Sequence, residues 1–183
     1  QMGDLARALT EDRLVLHYQP KVEARTGRVV GVEALVRWQQ PVDGMIPPAR
    51  FIPLAERSGH IVQIGQWVLN EACRQARAWI DNGLPPLVVA VNLSAVQFQR
   101  GNVLDMVSAA LASTGLPANC LELELTESIL LQDSESTMET LRGLKALGAK
   151  LSIDDFGTGQ ASIAQLRRFA VNRIKINRSF VTH

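Results

Sequence analysis

Apolar residues cluster in short runs, and each run holds a polar group near its far end. The runs are residues 29–38 with Glu33, 87–93 with Asn92, 121–126 with Glu124, and 150–156 with Asp154 and Asp155. A fifth run, 173–181, carries Lys175. Runs of this length, rich in Val, Ile and Leu and bounded by turn residues, predict strands. An ionised carboxylate buried in a strand costs several kcal/mol unless it is paired or ligated. Oxygen ligands at the same end of successive strands therefore suggest convergence on a cation, and a hard-metal site is the first expectation.

Between the runs the period changes to that of helices. Residues 3–13 read as a short amphipathic helix, with Leu5, Ala8 and Leu9 on one face, and 14–22 alternates like a strand. Residues 24–27 read as a turn and 40–44 as a loop broken by Pro41 and Gly44. Pro47-Pro48 opens a helical stretch at 50–57 that closes on Gly59. A long helix is predicted over 62–82, where Ile64, Trp67, Val68, Cys73, Ala76 and Ile80 keep helical spacing up to Asn82-Gly83. Further helices are predicted at 103–113, 136–147 and 161–169, with stops at Gly115 and Gly148.

The later two-thirds thus alternates strand and helix, with Asn92, Glu124 and Asp154 about thirty residues apart, the pattern of parallel α/β structure. The strands read as mostly continuous apolar runs, as expected where both faces are covered. A parallel ring with polar residues at strand C-termini is the layout of a (β/α)8 TIM-like barrel, whose active site lies at that end. An open doubly wound sheet is the alternative. The first strand is followed by no glycine-rich phosphate fingerprint, and the polar residues are spread over many strands, both of which favour the barrel. Six strands are predicted where a barrel needs eight, so its last two strand–helix units, on the order of 60 residues, are expected beyond His183. Residues 1–13 read as a linker or helix excised from a longer protein, and 14–183 as the barrel domain.

Charge and cysteine content narrow the classes. A formal net charge of +1, with Arg167-Arg168 the only adjacent basic pair, predicts no attraction to nucleic-acid polymers or acidic membranes. No run is long and uncharged enough to span a bilayer, and the polar start lacks a secretory signal. Cys73 and Cys120 form neither a zinc spacing nor a disulfide framework, and read as reduced structural thiols of a cytoplasmic domain. His17, His60 and His183 match no metal spacing, and His17 reads as a strand residue.

Seven motifs occur in a particular order: LHYQP at 16–20, GVEALVRW at 31–38, FIPLAE at 51–56, VNLS at 91–94, ELTES at 124–128, DDFGTG at 154–159 and RIKINRSFV at 173–181. In identity, order and spacing this set resembles the EAL-domain family of cyclic di-GMP phosphodiesterases across nearly the whole chain. The resemblance implies hydrolysis of one phosphodiester bond of cyclic di-GMP to linear pGpG, assisted by two divalent cations, Mg2+ or Mn2+, with Ca2+ inhibitory. A phosphodiester is anionic and resists anionic nucleophiles; metal ions neutralise it and lower the pKa of the attacking water. Hard cations prefer Glu, Asp and Asn oxygens to softer ligands.

Carried over residue by residue, the resemblance makes Glu33, Asn92, Glu124, Asp154 and Asp155 metal ligands, with Asp154 bridging and Asp155 serving the second ion. Adjacent strand residues point to opposite faces, so both aspartates reach one site only if the strand ends at Asp155. A helix N-cap with a salt bridge is the structural alternative for the pair. Lys175 would orient the attacking water or handle its proton, or be a buried ion-pair partner. Arg37, on the face of Glu33, would bind a substrate phosphate, and Gln19 would lie near the substrate or make a strand-end hydrogen bond. Glu127 would anchor the loop 157–162, or simply cap the following segment.

The chain departs from the family pattern at four places. Gln160 and Ala161 stand for an aromatic residue and a serine, and Asn172 and Asn177 for aspartates. An amide keeps a carboxylate's shape but not its charge. A later glutamate ligand and a substrate-facing glutamine of the family fall beyond His183. The resemblance further implies a bacterial signalling module fused to domains such as GGDEF or a sensor, and a homodimer through the Asp-pair loop. The competing reading is a degenerate receptor that binds cyclic di-GMP without cutting it. Retention of Glu33, Asn92, Glu124, both aspartates and Lys175 favours catalysis.

Overall fold

The computed structural model describes residues 13–42, 44–132, 134–156 and 173–176. The strands are β1 (Leu14–Val22), β2 (Val29–Gln40), β3 (Gly44–Ile46), β4 (Val88–Leu93), β5 (Leu121–Thr126), β6 (Lys150–Phe156) and β7 (Arg173–Ile176). The helices are α1 (Pro48–Ser58), α2 (Ile61–Asp81), α3 (Ala95–Arg100), α4 (Val103–Thr114), α5 (Glu127–Leu131) and α6 (Glu135–Leu147). One sheet runs β1-β2-β4-β5-β6-β7, with β3 paired to β2 outside that path. The helices linking β2, β4, β5 and β6 are the crossovers that parallel pairing demands. The expected helix at 3–13 lies outside the described residues except for Arg13, which is not helical, and the one at 161–169 lies wholly outside them.

The sheet is not wholly parallel. From β2 through β4, β5 and β6 to β7 every pair is parallel, but β1 pairs antiparallel with β2 over nine residues, Leu14↔Trp38 to Val22↔Val29. The turn between them permits this: Gly27 sits at φ 70, and Gly27 N donates to Glu23 O at 2.8 Å. Six residues suffice for a hairpin and are too few for a parallel crossover. The stretch read as a loop at 40–44 also contains structure, since β2 continues to Gln40 and Gly44–Ile46 folds back as β3.

Alternation separates the two faces of the sheet. Val32, Ala34 and Trp38 of β2, Val89, Val91 and Leu93 of β4, Leu121, Leu123 and Leu125 of β5, and Leu151 and Ile153 of β6 are buried in the apolar core. The long helix α2 lays Ile61, Ile64, Val68, Leu69, Ala72, Cys73 and Ala76 into that core at three- and four-residue intervals. Phe51 of α1 meets the Trp38 ring edge-on at 5.9 Å. Burial pushes the Cys73 thiol up to about 12 and raises that of Cys120, against the lowering effect of Lys150. Both cysteines are free, as expected. Among the described residues no helix is long and apolar enough to cross a membrane.

Helix ends follow side-chain chemistry. Ser94 closes a capping box with Gln97 at the start of α3, a short helix in the stretch between the strand at 87–93 and the helix at 103–113, where the sequence patterning predicts no element. Asn102 and Ser134 cap α4 and α6 with side-chain oxygens. The capping box fixes the chain two residues after Asn92.

Candidate active site

The other face of the sheet carries the polar residues. On β2, Glu33 and Arg37 occupy the set of positions opposite to that of Val32, Ala34 and Trp38. On β5, Glu122 and Glu124 alternate with buried leucines, and both are nearly inaccessible, at 6% and 1%. Asn92 of β4 lies directly across from Glu124, and Glu124 directly across from Ser152 of β6. Gln19 of β1 lies directly across from Glu33. The antiparallel β1 thus brings its own polar positions beside those of the parallel strands.

One ammonium ties these groups together. Lys21 Nζ donates to Glu124 Oε1 at 2.6 Å and to Glu122 Oε2 at 3.3 Å, and stands 4.0 Å from Glu33 Oε1. Asn92 Nδ2 donates to Glu33 Oε2 at 3.5 Å. Carboxylates with side chains as enclosed as those of Glu124 and Glu122 require compensation for lost hydration. Lys21 supplies part of it.

The structure therefore unites Glu33, Asn92 and Glu124, with Gln19 beside them in register. Arg37 shares the face but is four residues further along β2, about 13 Å at strand rise, and its Nη1 donates to Val36 O at 2.9 Å. Glu127 is 5% exposed and opens α5.

For Asp154, Asp155 and Lys175 the backbone is informative, while their side chains lie outside the description. The strand does not end at Asp155 but continues through Phe156. Ile153 pairs with Ile174 and Phe156 with Ile176, so Asp154 and Asp155 together stand opposite the single residue Lys175. This is the count of a β-bulge, which interrupts strict side-chain alternation. The expected strand end at Asp155 is therefore not met; the ladder is irregular at the two aspartates instead. The departures Gln160, Ala161, Asn172 and Asn177, and the loop 157–162, fall outside the described residues.

Two residues of the cluster, Lys21 and Glu122, were missed from sequence. The signal for Glu122 is present in LELELT, where leucines and polar residues alternate strictly; β5 is a two-faced strand, not a continuous apolar run. Lys21 follows Gln19 by two and so shares its face, but only the antiparallel register brings it to the acids.

Two cavities flank the cluster. One of about 390 Å3 is lined by Leu35, Ile52, Glu56, Asn92, Ser94 and Thr126, among others. The other, about 190 Å3, is lined by residues that include Lys21, Gly31, Ala90, Glu122 and Lys150. Among the described residues no three acidic, His or Cys side chains are arranged to hold a metal ion by themselves. The donor chemistry of Glu33, Asn92 and Glu124 is nevertheless that of a hard-cation site, and the Lys21 ammonium is a positive charge already seated among them.

Comparison with known proteins accords with this geometry. The family model for the EAL domain matches residues 2–183. The chain is 49% identical over 180 residues to the bifunctional diguanylate cyclase/cyclic di-GMP phosphodiesterase MucR of Pseudomonas aeruginosa, covering 98% of this chain and 26% of that protein. It is 46% identical over 178 residues to the cyclic di-GMP phosphodiesterase NbdA of the same organism, covering 97% and 23%. The chain thus spans about a quarter of the length of these relatives. Among solved structures, the PaMucR phosphodiesterase in complex with c-di-GMP superposes with a TM-score of 0.92 at 49% identity, over 99% of this chain and 73% of that one. The Xanthomonas citri FimX EAL domain in complex with c-di-GMP gives 0.85 at 25% identity, over 97% and 69%. These neighbours are TIM-barrel-like, and the mixed α/β sheet described here is of that architecture. By its motifs, its fold and these matches, the chain belongs to the EAL domain family.

Proposed function

We propose that this domain hydrolyses cyclic di-GMP to linear pGpG in a reaction that depends on divalent cations. The observation that carries the proposal is the convergence of Glu33, Asn92 and Glu124, from three neighbouring parallel strands, on one polar cluster in which Glu124 is buried, Glu33 half-buried and Asn92 open to solvent. In this reading Glu33, Asn92, Glu124, Asp154 and Asp155 hold two ions, Mg2+ or Mn2+. Bound there, such ions supply charge neutralisation at the phosphate and acidify water.

The remaining chemistry belongs to the chain. Water attacks phosphorus, the P–O3′ bond breaks, and the product keeps a 5′-phosphate and gains a 3′-hydroxyl. Lys175, across the bulge from both aspartates, orients that water or handles its proton. Arg37 binds a substrate phosphate, since a guanidinium presents paired donors to phosphate oxygens. Gln19, across from Glu33 in the β1–β2 register, is assigned to the substrate, and Glu127 to anchoring the loop 157–162. The segment 14–183 acts as the barrel domain of a larger cytoplasmic signalling protein, fused to GGDEF or sensor domains and paired as a homodimer.

The test is hydrolysis of cyclic di-GMP by the full-length protein with Mg2+ or Mn2+, followed by chromatography of the product. Linear pGpG is expected. Binding without any linear product would replace this reading with that of a receptor.

A further inference from the structure

Lys21 plays no part in the reading above, yet it contacts more acidic side chains than any other described cation of the polar face. Its ammonium bonds Glu124 and Glu122 and approaches Glu33, while its own side chain is 19% exposed. Two of these partners, Glu33 and Glu124, are the proposed cation ligands; Glu122 is not. Glu122 lies two residues before Glu124 on the same face of β5, toward the cavity of about 190 Å3 that Lys21 also lines. The ammonium therefore has a second acidic partner already in place, and open space on that side.

We infer that Lys21 is an internal counter-ion and a positioning residue of the site. Without a divalent cation it holds Glu124 and Glu33 in their converged geometry. When a cation binds, Lys21 gives up Glu124 and retires onto Glu122. This inference rests on the proposed cation site. It adds that the site's affinity is set by competition between the metal and a side chain built into β1. A divalent ion must displace or outweigh a unit charge seated within hydrogen-bond distance of one of its ligands, so Lys21 weakens binding while preserving the ligand geometry.

Two measurements on the full-length protein test it. The first is Mn2+ binding by calorimetry, with thermal unfolding of the metal-free protein, for wild type, Lys21→Met and Lys21→Arg. Lys21→Met should bind Mn2+ at least about tenfold more tightly while its metal-free form melts lower; Lys21→Arg, which keeps the charge, should restore the melting temperature. A strut without competition would lower the melting temperature and leave Mn2+ affinity unchanged or weaker, and that result overturns the inference. The second is a wild-type structure with Mn2+ bound, which needs no variant to fold. Lys21 Nζ should have left Glu124 and kept Glu122; an ammonium still bonded to Glu124 beside bound Mn2+ overturns the inference. Failure of wild type to bind Mn2+ at Glu33 and Glu124 would overturn the cation site itself. Binding there with Lys21 unmoved, and Lys21→Met no tighter, would overturn only the role of Lys21.

Discussion

Gly31→Ala probes how closely the strands that carry the site must approach. Gly31 pairs with Val88 at the start of the β2–β4 ladder, two residues before Glu33, and on its other side with Lys21 of β1. A Cβ at Gly31 would sit 2.5 Å from the Val88 carbonyl oxygen and 3.4 Å from its carbon. Ordinary carbon–oxygen contacts lie at about 3.3–3.6 Å, so the strands must part by about 0.8 Å. The obstacle is backbone, which has no rotamer by which to escape, and β2 is held from both sides. Overpacking of this kind costs about 1–3 kcal/mol, and a weakened ladder hydrogen bond adds about 1 kcal/mol. The expected destabilisation is therefore about 2–4 kcal/mol, or about 4–16 °C in Tm for a domain of this size. Urea unfolding followed by tryptophan fluorescence should show a lower midpoint with an unchanged slope. A variant within about 0.5 kcal/mol of wild type, the usual range of an indifferent surface substitution, would refute the argument.

Gly65→Ala should cost about 1–3 kcal/mol, because the new Cβ would fall 1.9 Å from Gln97 Nε2 and expel the side chain that completes the Ser94 capping box; urea midpoints of Gly65→Ala and Ser94→Ala would check it. The Cys73 thiol is raised by burial from its ordinary 9.0 to about 12, so its neutral form stabilises the fold fully below pH 9, and that contribution is lost as pH rises toward 12. Stability measured against pH should fall across that window, and Cys73→Ala should flatten the slope. Glu33→Ala and Asp154→Ala should each abolish hydrolysis of cyclic di-GMP with far-ultraviolet circular dichroism unchanged; activity retained in both would reject the site. Ca2+ should bind yet support little turnover, because its looser coordination orients the attacking water poorly, and rapid Ca2+-driven hydrolysis would contradict this.

The elements legible in the sequence are those whose own residues determine them. The helix α2 shows its apolar stripe and its Asn82-Gly83 stop, and comes out one residue from the expected bounds at each end. The βα alternation from β4 to β6 is equally plain. What escaped is set by pairing at a distance. Nothing within residues 14–22 states that β1 runs against β2, and β3 is three residues long, too short for any period to show. The helices α3 and α5 are five or six residues each, and only the Ser94–Gln97 capping box marks one of them. At the site, the residue-by-residue match singled out Glu33, Asn92 and Glu124, and strand alternation puts the three on one face. Lys21 could not be added because its role depends on register. The Asp154–Asp155 bulge was invisible because it is a property of two strands jointly.

The reversed direction of β1 also decides where the polypeptide comes in. Gln39 N donates to Arg13 O at 2.8 Å, and Leu14 stands across from Trp38, near the C-terminal end of β2. Had β1 run with its neighbours, the chain would enter at the N-terminal ends of the parallel strands. Instead, Arg13 itself is fastened to the same rim toward which Glu33, Asn92 and Glu124 lead, and a pull on the chain at that residue is felt first at the C-terminal ends of the strands.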